Sequence, residues 1–165
     1  MKNIMRTAVL GLSITAIVGF AATVSAQDKR QDKAAIVKER QDTMKRQAGD
    51  LKYIADFAKG AGGDQENAGY KADELLFTSG KLLALFVPGT SNADLPNVKT
   101  YAKPDIWTDW KKFSAQIPKV QDLEQALSDA VKKGGKPAIL AAIGNLGKNG
   151  CGACHATYRA KMPQQ

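Results

Sequence analysis

The sequence has one histidine, His155, and two cysteines, Cys151 and Cys154. A single imidazole excludes any site that needs a histidine pair, and two thiols exclude a multi-disulfide framework. Beyond the stretch at positions 8–22, no apolar run approaches the roughly 20 residues that cross a bilayer as a helix. No segment alternates apolar and polar residues with period two, and β-branched residues are not concentrated anywhere, so a sheet has no signal. A phosphate-binding glycine loop, a paired-histidine metal motif and a catalytic triad set are also missing.

What is present fits one domain with a short appendage: 165 residues, too few for a multi-domain enzyme. An apolar content of 44% with 24% charged side chains places the chain among folded globular proteins rather than disordered or collagen-like ones. The appendage is the amino end. Lys2 and Arg6 precede the apolar run AVLGLSITAIVGFAA, and Val24-Ser25-Ala26 offers modest side chains before a cut. This is the pattern of a secretory signal peptide at 1–26, cleaved after Ala26, with the mature domain at 27–165. The competing reading, a retained anchor, suffers from a run of only about 15 residues. The mature chain is then exported, without a membrane span, into a compartment where paired thiols oxidise unless captured.

The formal net charge is +8. Its longest basic clusters, such as Lys111-Lys112 and Lys132-Lys133, are pairs with acids nearby. That argues for a solvated helix surface that meets an acidic protein partner, and against nucleic acid or a membrane surface.

Four segments show helical periodicity. The first, about 32–59, carries Val37, Met44, Ala48, Leu51, Ala55 and Ala58 at steps of three, four or seven, and ends at Gly60-Ala61-Gly62-Gly63. The second, about 66–86, has Leu75, Leu76, Ser79, Leu82, Leu83 and Phe86 on one side and closes at Pro88-Gly89. A polar connection leads to Pro104. The third, about 105–133, keeps the rhythm through Ile106, Trp110, Phe113, Ile117, Val120, Leu127 and Val131, with Glu124 out of place. Pro118 inside it predicts a kink or local break. The fourth starts near Pro137 and runs to about Lys161, with Ile139, Leu140, Ile143, Leu146, Gly150, Cys154 and Tyr158 on one face. The expected fold is all-α, an antiparallel four-helix bundle.

Cys151-Gly152-Ala153-Cys154-His155 carries the chemistry. C-x-x-C-H is the sequence of c-type haem attachment. Thiols three residues apart on one helix face add to the two vinyl groups of a porphyrin, and the next residue presents an imidazole to the iron. Gly152 and Ala153 leave room for the macrocycle. A thiol–disulfide redox pair requires a helix start after a strand, which this chain lacks. Zinc requires a fourth ligand or an open site. A plain structural disulfide leaves the histidine unexplained. The expected cofactor is one covalent haem c per chain, with Cys151 and Cys154 as attachment points and His155 as axial ligand.

The opposite axial position has few candidates. Met1 and Met5 leave with the leader, and Met162 follows His155 by seven residues, on the same side of the ring. Met44, in the first helix, is the methionine that can face the iron. Core filler is the competing role for a methionine on an apolar stripe, and a lysine from elsewhere is a competing ligand. Arg40 lies one turn before Met44 on the same face. It needs an anion such as a haem propionate, or else reaches solvent along its apolar stem. Arg159, one turn after His155, is placed for the haem edge. Tyr158, Trp107 and Trp110 read as core or ring-packing residues.

With Arg40, Met44, Lys59-Gly60, Lys103-Pro104-Asp105-Ile106-Trp107 and CGACHATYRAK together, the chain resembles the class II c-type cytochromes, that is, cytochrome c-prime and its low-spin, methionine-ligated relatives. The likeness covers nearly the whole mature chain, and the attachment motif near the carboxyl end is its most specific part. It implies a periplasmic four-helix bundle with haem between the helices, His155 on the proximal side and Met44 at the distal first-helix position. Met44-Lys45 and Ala58-Lys59-Gly60 resemble the low-spin branch. Ala48 departs from the pattern, since a glycine is expected one turn after the methionine and Gly49 follows instead.

Two functions follow. A six-coordinate His/Met iron is a single-electron carrier rather than an enzyme. A five-coordinate iron behind an apolar distal wall, with Met44 as a steric gate, binds nitric oxide or carbon monoxide. A helical interaction subunit with an incidental C-x-x-C is a third and weaker reading. The outer helix faces leave monomer and homodimer both open.

Overall fold

The computed structural model describes residues 20–161. Among them there are seven α-helices: α1 (Phe20–Lys59), α2 (Gln65–Lys81), α3 (Asp105–Thr108), α4 (Trp110–Ser114), α5 (Gln116–Lys133), α6 (Lys136–Asn145) and α7 (Ala153–Tyr158). A 3-10 turn, Leu82–Leu85, extends α2, and a π-helical stretch, Leu146–Gly152, joins α6 to α7. Read as continuous rods, α1, α2, α3–α5 and α6–α7 are the four helices of a bundle, as the periodicity predicts. Residues 1–19 of the expected leader, and Met162, lie outside the described residues. Phe20–Ala26 form the start of α1. None of the described helices is long and apolar enough to cross a membrane.

Local chemistry sets the turns. After α1 the chain passes through Gly60 and Gly63, both with positive φ. Asp64 then caps α2 by accepting from the Asn67 backbone N–H at 2.8 Å. Gly134 ends α5 in the left-handed conformation (φ 75°), its N–H returning to the Val131 carbonyl.

The third rod is broken, but upstream of Pro118. The interruptions fall at Asp109, which caps α4 through the Lys112 N–H, and at Ala115. Pro118 occupies the first turn of α5. Its missing N–H would have bonded the Ser114 carbonyl, with which its ring would also clash, so the ladder opens one turn before the proline.

The core has two lobes. One is built from Ile54, Ala72, Leu75, Leu127, Val131, Ile139 and Leu146 and holds the bundle's glycine-loop end. The other gathers Leu82, Phe86, Ile106, Phe113, Ile117 and Tyr158, with Met44, Trp107 and Cys154 partly buried against it. Its aromatics meet edge to face: Phe113 lies 4.7 Å from Phe86 and 5.1 Å from Tyr158. Three residues expected inside are not; one is Ala48, exposed on α1. Leu140 is exposed on α6, and Trp110 is exposed while still stacking obliquely on Phe113. Both sit at the edge of their helix's apolar arc, which is wider in sequence than the face the neighbours cover.

Candidate functional site

The last helix changes gauge where the cysteines begin. Leu146–Gly152 is wound as a π-helix, and the regular α-helix resumes at Ala153. Such wide turns gather at functional sites because they re-aim side chains without ending the helix. Glycine makes this one feasible: a Cβ on Gly152 would lie 2.6 Å from the Gly147 carbonyl oxygen. The small residue inside the motif therefore makes room for the helix's own backbone.

Beside this turn lies a cavity of about 880 Å³. Its walls include Met44 and Ala48 from α1, Phe86 and Phe113 from the aromatic lobe, Cys154 and His155 from α7, and Arg159 just beyond it. Arg40, Met44, Cys154, His155 and Arg159, all singled out in the sequence, thus converge on one space. Cys151 is not on its wall; it is half-buried against the other lobe of the core. Among the described residues, no acidic side chain lines the cavity.

Burial holds the reactive groups in their neutral forms. Both thiols are free and titrate high: Cys151 because of burial and then the Glu124 charge, Cys154 because burial, then Cys151, push it up to about 11. His155 titrates below the usual imidazole range, first from burial and then from the positive charge of Arg159. A neutral imidazole is the form that binds a metal.

Arg40 does not reach solvent; it is 4% exposed. Its guanidinium donates to the Leu85 and Thr90 carbonyls and to the Thr90 and Thr100 hydroxyls, at 3.1–3.2 Å, and lies over the Phe86 ring. Desolvation lowers its pKa to about 10. A buried cation whose partners are all neutral leaves positive potential on the adjoining cavity.

The connection 86–104 contributes much that periodicity could not show. Lys99, Thr100, Tyr101 and Ala102 line the cavity. This segment is laced to the end of α7: the Lys103 N–H donates to the Tyr158 carbonyl (3.0 Å) and the Ala160 N–H to the Tyr101 carbonyl (2.8 Å). Trp107 Nε1 donates to the Phe86 carbonyl at 2.9 Å.

A flat apolar macrocycle with two carboxylate arms requires these features: a large apolar chamber, a cation without an anion, two thiols and an imidazole on one short turn. The residues present fit haem. The cytochrome c′ family model matches residues 35–159. The chain belongs to the cytochrome c′ family. Its cofactor is accordingly haem c, covalently attached, and Cys151 and Cys154 fit the attachment motif. Proteins of this family are periplasmic. A curated cytochrome c′ from Alcaligenes xylosoxydans xylosoxydans is 37% identical over 78 residues, 47% of this chain and 55% of that protein. The match therefore spans about half the length of that relative. Solved structures cover more. Cytochrome c′ from Rhodobacter Spheriodes superposes with a TM-score of 0.68 at 30% identity, over 79% of this chain and 98% of that one. The nitric oxide complex of a cytochrome c prime variant from Alcaligenes xylosoxidans gives 0.67 at 29% identity, over 79% and 97%. Cytochrome c′ from Rubrivivax gelatinosus gives 0.65 at 27%, over 77% and 96%.

Proposed function

We propose that this cytochrome c′ family protein is an exported single-electron carrier, released by cleavage after Ala26, that exchanges electrons with partner proteins and turns over no substrate. The observation that carries this reading is the placement of Met44 and His155, from the first and last helices, on the walls of one cavity. Bound haem supplies a one-electron iron couple. The chain supplies the rest. Cys151 and Cys154 would tether the ring, and the neutral nitrogen of His155 would hold its iron. Met44 is the residue of α1 that would offer a thioether to the iron, which would favour the ferrous form and raise the potential. Phe86, Ile106 and Phe113 keep water away. Arg40 acts on the propionates through its charge, since its terminal N–H groups already bind neutral oxygens. Arg159, also on the cavity wall, would flank the haem edge.

The test is one absorption spectrum in each oxidation state. A thioether-to-iron charge-transfer band in the oxidised protein, lost in Met44→Ala, supports the carrier. No band, and an unchanged Met44→Ala spectrum, overturns it.

A second reading draws on the solved relatives that hold nitric oxide: the iron is five-coordinate and Met44 gates a small neutral gas. Carbon monoxide then binds the reduced protein rapidly and stoichiometrically, without displacing a ligand.

A further inference from the structure

Glu124 breaks the apolar rhythm of α5, and nothing in the haem site as described uses it. It is 2% exposed, on the face of α5 that packs on α2. An isolated carboxylate in such a place is strongly disfavoured. Among the described residues its one hydrogen-bond partner is the Ser79 hydroxyl, which also lies 3.1 Å from the Leu76 carbonyl. A hydroxyl has one proton. When Glu124 is ionised, Ser79 donates to it. When Glu124 is protonated, Glu124 donates to Ser79 and Ser79 donates to Leu76. Ser79 can therefore pair with Glu124 in either protonation state without moving a helix.

The site is also electrically close to the haem tether. The Glu124 charge acts on the Cys151 thiol, and α5 packs on the attachment turn through Leu123 and Val120, against Gly150. Few other charges face it. On α2, Asp73 is taken by Ser128 and Lys132, and Lys81 lies over the Phe77 ring. On the attachment turn Lys148 is exposed, and Cys151 ceases to titrate once it is a thioether.

We propose that Glu124 is a proton site coupled to the electron, so that this protein carries a proton together with its electron. On reduction, one electron arrives from the partner protein at the ferric iron, and one proton passes from solvent to the Glu124 carboxylate. On oxidation both leave. The inference rests on the electron-carrier reading. It follows from sign alone: a negative charge beside the tether stabilises the ferric state, and ferrous iron removes part of the positive charge that opposes protonation. Burial holds this carboxyl at about 7, against 4.5 for an ordinary glutamate, with the Ser79 hydrogen bond pulling the other way. The exchange thus falls in the neutral range.

The experiment is a redox titration of the haem-loaded protein at a series of pH values, with proton uptake on reduction followed by an indicator dye in weak buffer. The midpoint potential should fall as pH rises between 6 and 8, with uptake of up to one proton per electron. Glu124→Gln should flatten the slope and abolish the uptake. An unchanged slope and uptake in Glu124→Gln overturns the proposal. If Glu124→Gln does not load haem, Ser79→Ala decides: loss of the donor to the carboxylate should move the pH window upward, and an unmoved window overturns the proposal. Failure of the carrier reading shows separately, as absence of the methionine charge-transfer band, whatever the slope.

Discussion

Gly152 packs directly on the backbone of Gly147, five residues earlier in the same helix, with no space between them for a methyl group. The wide turn that presents Cys151 and Cys154 depends on that contact. Gly152→Ala should force the turn to re-wind or shift, at about 1–3 kcal/mol, the usual range for overpacking a tight site. A lower denaturation midpoint and a lower yield of haem attachment are the expected readings. Wild-type values for both would show that the contact is dispensable.

Arg40 binds four oxygens drawn from Leu85, Thr90 and Thr100, and so pins the 86–104 connection to α1. Arg40→Met should cost on the order of 3 kcal/mol, since hydrogen bonds to a charged donor contribute more than neutral ones. Arg40→Lys should recover little, because one ammonium cannot match the four-way planar fork. Guanidinium unfolding curves of the three proteins check the order wild type, lysine, methionine.

Glu124 makes stability depend on pH. Its pKa is raised in the folded state, to about 7 from 4.5, so the folded protein holds the proton more tightly than the unfolded chain. Its contribution is fully favourable below about 4.5, declines as pH rises through that window, and is lost above about 7. The difference is on the order of 3 kcal/mol between the ends of the window. Glu124→Gln should remove this part of the pH dependence. Denaturation midpoints at pH 5 and pH 8 should differ less in the variant than in the wild type.

Asp50 is 3% exposed and bound by Lys71 at 2.9 Å, while its Oδ2 has no partner. Lys71→Met should leave the Asp50 carboxylate without its cation and cost on the order of 1–3 kcal/mol, since the lysine end of the pair is already in water. Replacing both residues, Asp50→Leu with Lys71→Met, should return most of that loss. A double-mutant cycle by chemical denaturation measures it, and a harmless Lys71→Met would show that solvent already satisfies the carboxylate.

Much of this molecule is readable along the chain. The steps of three and four through Val37, Leu75, Phe113, Leu127 and Ile139 mark helix faces, because one face of each helix must leave water. C-x-x-C-H declares its chemistry locally, since both thiols and the imidazole lie within five residues. The break in the third rod was legible in Pro118 but displaced, because the proline's effect lands on the preceding turn.

Other features exist only in three dimensions. The linear pattern left Arg40 two destinations, and the connection folding over it made it a buried cation held by threonine oxygens. The polar stretch 90–102 has no periodicity, yet its backbone pairs with the end of α7 and walls the cavity. Glu124 looked like an error in an apolar stripe until α2 brought Ser79 to it. The sequence by itself determined which residues could hold a porphyrin, because that chemistry is local. The tertiary structure decided what surrounds them, because burial, potential and hydrogen-bond partners come from segments dozens of residues apart.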